Sequence, residues 1–372
     1  MRVCHLSSVH HGLDVRIFYK ECLSLKKAGY DVHMVLSATV KDVKIAKISK
    51  IKIHRLKKPK KRLFRIICHS WAVFGKALKT KAKIYHFHDP ELIPYGMLLA
   101  IMGKKVIYDV HEDVPGDILQ KNWIPAIFRF FIAKVLYYLE IFGARFFFHT
   151  IAATPFIRAK FNAEKFNVVD IKNYPLLTEF SVQKNKISKE SAVCYVGDIS
   201  PDRGIFEILE AIEKTNCVSK LYLVGRFYDM RFEKKIKSMP GWRKVKALGY
   251  IDRPSVGGIL QKTKAGLVTL HPELNHVNSL PIKMFEYMYA GLPVIASNFP
   301  AWRKIIKKEN CGLLVDPLDS YAIAMAIESI VRDPKNAKIM GENAKRAIQK
   351  SYNWQKEEQN LKKFYKKILE DN

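Results

Sequence analysis

Asn278-Ser-Leu-Pro-Ile-Lys283-Met-Phe-Glu286-Tyr-Met-Tyr-Ala-Gly291-Leu-Pro293-Val-Ile-Ala-Ser297 reads as a polar turn, a helix over about 281–290 and a buried strand over 294–297. Gly291 supplies the helix stop and Pro293 keeps the chain from resuming it. A turn that delivers a helix N-terminus into a crevice offers free backbone N–H groups and the positive end of the helix dipole, so an anion is the natural guest. A diphosphate fits that description.

Outward from this stretch, short apolar runs alternate with helical ones. Upstream, strands are predicted at 192–197, 220–225, 246–250 and 265–270, with helices at 204–214 and 255–262; downstream, helices follow at 302–307, 320–332 and 336–350. Alternation of this kind predicts a parallel α/β sheet. The N-terminal half repeats the design, with a strand at 3–7, a helix at 14–28 ended by Gly29, and a strand at 30–36. The loop after that first strand, His10-His11-Gly12-Leu13-Asp14-Val15-Arg16, lies where a doubly wound sheet opens toward its ligand, and it has no G-x-G-x-x-G. Two further strands, at 83–87 and 105–109, run into His88-Asp89-Pro90-Glu91 and Val110-His111-Glu112. Two strand ends carrying histidines and carboxylates at one sheet edge predict a polar crevice wall.

The 372 residues exceed what one core usually supports, and 48% hydrophobic residues suffice for two. The expected division is an N-terminal domain over 1–172, a linker over 173–190 that begins Asn173-Tyr-Pro175, and a C-terminal domain over 191–351. The final segment, 352–372, is expected to pack back on the first domain. The fold class is thus α/β, with two Rossmann-like domains facing across a cleft.

A net charge of +29, from 64 Lys+Arg against 35 Asp+Glu, favours anionic partners: phosphorylated small molecules, a lipid surface or nucleic acid. The last is disfavoured, because no helix-turn-helix, RNP or zinc pattern is present. The six cysteines form no CxxC pair and no zinc-type spacing, which predicts a reduced cytosolic protein without a metal. The N-terminus reads as a strand rather than a signal peptide, and no window of about 18 residues is free of charge. Lys57, Lys58, Lys60, Lys61, Arg62 and Arg65 form a basic block beside Leu63-Phe64 and Ile66-Ile67, read either as a solvated loop or as a contact for an anionic bilayer. Over 124–148 a helix is predicted with Phe128, Phe131, Ile132, Val135, Leu139, Phe142 and Phe146 on one arc. That arc reads first as core-facing, with a membrane surface as the alternative.

Taken together, these residues resemble the retaining GT-B-fold glycosyltransferases of family 4, which include bacterial polysaccharide and lipopolysaccharide (or capsule) sugar transferases, over nearly the whole chain. The family's E-x7-E stretch corresponds to 278–286, and Tyr289-Ala-Gly-Leu-Pro-Val-Ile-Ala-Ser follows its continuation closely. The chain departs at Asn278, which stands where the first glutamate would be and cannot supply negative charge. The resemblance implies that Glu286 binds the ribose hydroxyls, that Asn278, Ser279, Leu280 and Lys283 line the donor, and that Gly197 and Arg203 flank its phosphates. It places Gly225, Tyr250 and Ile251 by the base, and His111 against the donor sugar. His11, Asp14, Arg16, His88, Asp89 and Glu112 fall on the acceptor side. His111, Arg203, Asn278 and Glu286 are the catalytic candidates.

The implied reaction moves a sugar from a nucleoside-diphosphate donor, UDP by preference, to a hydroxyl of a saccharide with retention, without metal or other cofactor. Charge building on the departing phosphate would be met by Arg203, Lys283 and the helix start. The basic block and the Phe-rich helix suggest a lipid-linked acceptor and a peripheral position at the inner face of the plasma membrane. A sugar phosphorylase, a nucleotide-sugar epimerase or a basic nucleic-acid-binding protein are the alternatives.

Overall fold

Runs of Val, Ile, Leu and Tyr that are covered on both faces form wholly parallel strands, because a parallel sheet is buried on both sides by its crossover connections. The computed structural model describes residues 1–61, 64–121, 124–146, 148–161, 166–178 and 188–370. Within these residues there are two sheets. The first holds β1 (Arg2–His11), β2 (Asp31–Ser37), β3 (Lys52–Leu56), β4 (Ile84–Phe87), β5 (Lys105–Val110), β6 (Phe148–Ala152) and β7 (Val168–Asp170), in the order β3-β2-β1-β4-β5-β6-β7. The second holds β8 (Ala192–Val196), β9 (Lys220–Val224), β10 (Val245–Gly249), β11 (Ala265–Val268), β12 (Val294–Ser297) and β13 (Gly312–Val315), in the order β10-β9-β8-β11-β12-β13. Strand order reverses between β1 and β4 and again between β8 and β11, and at such switch points the loops diverge to leave a crevice.

Residues Met1–Asn173 with Gln355–Asn372 make one compact unit, and Tyr174–Trp354 make the other. Tyr174, inside the stretch read as linker, is buried in the second unit's core, and Trp354 N–H donates to the Pro175 carbonyl at 2.9 Å. Residues 179–187 of that stretch lie outside the described residues, as do Arg62 and Leu63 of the basic block.

In the second unit the side chains of β8 alternate between two cores. Ala192, Cys194 and Val196 pack with the helices Ile282–Ala290, Pro300–Glu309 and Pro334–Lys350, whereas Val193 and Tyr195 pack with Ile205–Lys214 and Ser320–Arg332. Phe285, Tyr287 and Trp302 are almost wholly buried there, each contributing about 2–3 kcal/mol by removal of apolar surface from water. The Tyr287 hydroxyl also accepts from Val196 N–H at 2.8 Å, which ties the end of β8 to the Ile282–Ala290 helix.

The last helix, Trp354–Glu370, buries Leu361, Tyr365 and Ile368 within the first unit. There the Tyr365 hydroxyl meets His86 Nδ1 at 2.8 Å, and Lys105 Nζ donates to the Ile368 carbonyl at 2.6 Å.

The Ala126–Phe146 helix corrects the core-facing reading. Phe128, Phe131, Ile132, Val135, Phe142 and Phe146 are exposed, and its buried positions are Ala133, Glu140, Gly143 and Ala144. Small residues let this side approach the sheet closely: a Cβ added at Gly143 would sit 2.3 Å from the Phe148 ring. Glu140 is tolerated inside because it accepts from the Tyr108 hydroxyl at 2.8 Å and from Lys160 Nζ at 2.5 Å.

Candidate functional site

In the second unit the end of β8 runs into Gly197 and the end of β9 into Gly225, with φ of +137° and +149°. Only glycine adopts these angles readily, and the space is closed as well. A Cβ on Gly225 would lie 1.8 Å from the Gly197 carbonyl oxygen, and one on Gly197 would lie 2.7 Å from Lys283 Nζ. The backbone is thereby pressed against the start of the Ile282–Ala290 helix. That helix begins after Pro281, and no side chain caps its first N–H groups, of which that of Met284 already donates to the Pro281 carbonyl at 3.1 Å.

Lys283, on the helix's first turn, is buried, and its ammonium lies 3.9 Å from the Tyr195 ring centre with no hydrogen-bond partner among the described residues. Burial, reinforced by the nearby Arg203 charge and opposed by Glu286, brings its pKa down to about 7. Three residues on, buried Glu286 accepts a short hydrogen bond from the Arg253 guanidinium. Arg203 closes the Pro201–Arg203 turn, 3.6 Å from Asp202, whose other oxygen accepts from Ser200 at 2.5 Å. Arg203, Lys283 and a helix start without a side-chain cap thus gather beside two glycines that let the backbone close in on them, while Glu286 holds an acceptor group one turn further along. Such a set of groups can meet an anion joined to a hydroxyl-bearing group.

Other residues read from the sequence behave differently. Asn278 Nδ2 donates to the Leu274 carbonyl at 3.0 Å, so this side chain caps the short Leu274–Val277 helix instead of standing free for a sugar. The Ser279 hydroxyl donates to the His276 carbonyl at 2.9 Å, and the Ser279 carbonyl accepts from Trp302 Nε1 at 2.7 Å. Leu280 and Ile251 pack against the core, and Tyr250 is exposed beneath the Arg226 guanidinium at 4.6 Å. Arg226 over Tyr250, Arg253 on Glu286, and Ser200 and Asp202 beside Arg203 were not singled out in the sequence. Arg226 directly after the Gly225 strand end carried a usable signal. Arg253 did not, since it is the first residue of an ordinary helix that starts at Asp252.

In the first unit, β1 extends through His11 with an irregular register after Leu6, and its end is clamped to β4 by Asp89. One Asp89 oxygen accepts from the Ser7 hydroxyl and from Ser8 N–H, both at 2.7 Å. Asp89 and His88 are therefore buried groups that hold this strand edge together. Arg16 is likewise buried, forking onto Asp109 at 2.8 and 2.7 Å and donating to the Ile171 carbonyl at 3.1 Å. Asp14 caps the following π-helical turn by accepting from Ile17 N–H at 2.9 Å. His11 stays at the surface 3.4 Å from Lys58, and Glu112 is exposed.

His10 and His111 meet at 3.0 Å through their Nε2 atoms. Burial alone would lower the His10 pKa, but a hydrogen bond to Asp14 and the Asp89 charge outweigh it and raise it to about 9. Burial lowers that of His111. These shifts favour the proton on His10, which would donate to His111, at the end of β1 beside the switch point between β1 and β4.

Beneath it, His5, His86, His88 and Glu21 converge with no side-chain exposure. Glu21 Oε2 lies 3.9 Å from His5 Nδ1, His86 Nε2 and His88 Nε2 alike. Such a nitrogen and oxygen donor set has the composition of a transition-metal site, one that sequence spacing concealed because the residues come from β1, its following helix and β4. His5 with His88, His86 with Tyr365 and His88 with Asp109 also satisfy one another by hydrogen bonds at 3.0, 2.8 and 3.2 Å.

Comparison with known proteins bears on the second unit first. An uncharacterized glycosyltransferase of Methanocaldococcus jannaschii, MJ1069, is 21% identical over 188 residues, which is 50% of this chain and 47% of that protein. The chain spans about half the length of the curated relatives it matches. Over the whole chain, sucrose-phosphate synthase from Thermosynechococcus elongatus superposes with a TM-score of 0.78 at 18% identity, covering 100% of both. Anabaena HepE, solved in complex with UDP, gives 0.75 at 14% identity, covering 99% of this chain and 100% of that one. The two parallel-sheet units therefore make the GT-B fold, and residues 178–347, which include every donor-side residue named above, match the family described as "Glycosyl transferases group 1".

Proposed function

We propose that the protein is a retaining glycosyltransferase of family 4 that moves a sugar from a nucleoside-diphosphate donor, UDP-linked by preference, to a hydroxyl of a lipid-linked saccharide. The setting proposed is bacterial surface-polysaccharide synthesis at the inner face of the plasma membrane. The observation that carries the donor half is Lys283: a buried ammonium with no hydrogen-bond partner among the described residues, at an uncapped helix start, beside the Gly197 backbone. A buried unpaired cation is costly, and a diphosphate relieves that cost. Glu286, a buried carboxylate one turn further along the same helix, then takes the ribose hydroxyls.

Charge accumulates on the departing β-phosphate oxygen as the anomeric bond breaks. Lys283, Arg203 and the N–H groups of Ile282 and Lys283 stabilise it more strongly than they stabilise the ground state, which is what accelerates the reaction. Fixed cations suffice for this, and no step is assigned to a metal. The incoming hydroxyl loses its proton to that same oxygen, so the sugar is attacked on the face its phosphate leaves. On the acceptor side the proposal keeps His11, Asp14 and Glu112, leaves His111 against the donor sugar with His10 as its partner, and assigns Arg16, His88 and Asp89 to holding that loop.

A thermal-shift screen over UDP-, GDP- and ADP-sugars tests the reading, followed by calorimetry with the best nucleotide. Glu286→Ala is expected to weaken nucleotide binding about tenfold, the scale of one charge-assisted hydrogen bond. No stabilisation by any nucleotide sugar, or turnover that requires inorganic phosphate or no acceptor, would overturn it.

A further inference from the structure

The Ala126–Phe146 helix exposes ten large apolar or aromatic side chains, among them Ile127 at 77%, Phe130 at 64% and Phe131 at 65%. The helix Ile93–Ile101 lies beside it: ideal Cβ atoms on Gly96 and Gly143 would both strike the one Phe148 ring, at 3.1 and 2.3 Å. That neighbour exposes Ile101, and beyond it Tyr95 contacts the Trp71 ring at 5.8 Å, with Trp71 and Ile67 also exposed. At a partial exposure of roughly 100 Å² each, ten such side chains present on the order of 1,000 Å² of apolar surface, above the roughly 300–600 Å² largest patch of ordinary monomers.

Charge selects the occupant. Glu140, the only acidic residue of the Ala126–Phe146 helix, is buried, while Lys134 and Arg145 lie 5.9 and 5.4 Å from the Phe130 and Phe146 ring centres. Lys57, Lys58, Lys60, Lys61 and Arg65 precede the Ile66–Ile67 pair. A second copy would bring two positive faces together on a chain of net charge +29, whereas an anionic surface is complementary to both the charge and the aromatic rings.

We infer that this face docks on an anionic phospholipid bilayer, the Ala126–Phe146 helix lying in the plane of the interface with its phenylalanines among the acyl chains and Lys134 and Arg145 at the headgroups. The inference deepens the reading above by naming the surface that meets the membrane, and rests on it only for the acceptor. No helix among the described residues is long and apolar enough to cross a membrane, so the contact is peripheral.

The structure supplies a probe, since Cys68 is exposed and adjoins Ile67. The full chain is labelled there with an environment-sensitive fluorophore and floated with phosphatidylcholine vesicles, with or without about one-third phosphatidylglycerol. The expected result is a blue-shifted probe and flotation with anionic vesicles at least about tenfold stronger than with neutral ones, decreasing with salt. The double variant Phe130→Ser/Phe131→Ser should lower partitioning about tenfold or more, with melting temperature and UDP binding unchanged. Lys134→Glu/Arg145→Glu should lower it on anionic vesicles only. Absence of flotation at low salt, or equal flotation of Phe130→Ser/Phe131→Ser, overturns the inference. So does a dimer in light scattering that this variant converts to monomer. UDP binding that persists in any of these cases leaves the sugar-transfer reading standing, and flotation without nucleotide binding does the reverse.

Discussion

On the proposed reading, Lys283 should make donor binding depend on pH in a direction and amount that can be worked out. Burial first, then the Arg203 charge, bring its pKa down to about 7, so at neutral pH the unliganded site holds an ammonium about half the time. A diphosphate beside it supplies opposite charge and hydrogen-bond acceptors, which restore the pKa to the ordinary lysine range of about 10.4 or above. Above pH 7, then, binding requires Lys283 to take up a proton, and affinity falls as pH rises until the bound-state pKa is reached. Between pH 7 and pH 9 the ratio of unliganded protonation factors, (1 + 100)/(1 + 1), gives an affinity loss of about 50-fold, or about 2.3 kcal/mol. Below about pH 6 the group is already charged and adds nothing further. Calorimetry with UDP at pH 7, 8 and 9, in two buffers of different ionisation enthalpy, reads both quantities. Proton uptake should rise from about one-half to about one per UDP bound, and Lys283→Met should bind weakly with no such slope. A wild-type affinity constant within about threefold across that range, or the same slope in Lys283→Met, would show that this amine is not the diphosphate's partner.

Three further outcomes follow from other parts of the molecule. Asp109→Asn breaks the buried fork with Arg16 and leaves that guanidinium uncompensated, so chemical denaturation should show a loss of about 3–5 kcal/mol; a loss under about 1 kcal/mol would mean that Glu21 alone neutralises Arg16. Gly225→Ala forces a side chain onto a φ of +149° with its Cβ 1.8 Å from the Gly197 carbonyl oxygen, and should cost about 3 kcal/mol or more or displace the loop enough to abolish nucleotide binding; wild-type values for both would refute the packing described. His10 has a folded-state pKa raised to about 9 from an unfolded value near 6.5. Its stabilising charge is therefore fully present below about pH 6.5 and is lost as pH rises through 9, an effect of about 2–3 kcal/mol that His10→Asn should remove from the pH–stability profile.

Much of the fold was legible because its signals are local. Strands buried on both faces read as unbroken apolar runs, Gly291 and Pro293 end a helix by their own backbone chemistry, and the alternation of elements implies parallel sheets without any long-range information. The Ala126–Phe146 helix was misread because an apolar arc reports that an apolar side exists, not what covers it. The sheet here takes the small-residue side, Ala133, Gly143 and Ala144, whose close approach yields more packing than the phenylalanines would.

Polar residues at strand ends pose a related ambiguity. Asp14, Arg16, His88, Asp89 and His111 carry one signature in the sequence, that of a crevice wall, yet burial sorts them into two kinds. A carboxylate that accepts from Ser7 and Ser8 at 2.7 Å, as Asp89 does, has one oxygen committed to holding β1 against β4. A group whose partners are missing is the opposite case, and Lys283 shows it: its buried ammonium has no acceptor among the described residues. Pairing, which depends on residues as far apart as Arg16 and Asp109, is invisible in spacing, so the sequence identified the polar edge while only the fold shows which of its groups are committed to one another.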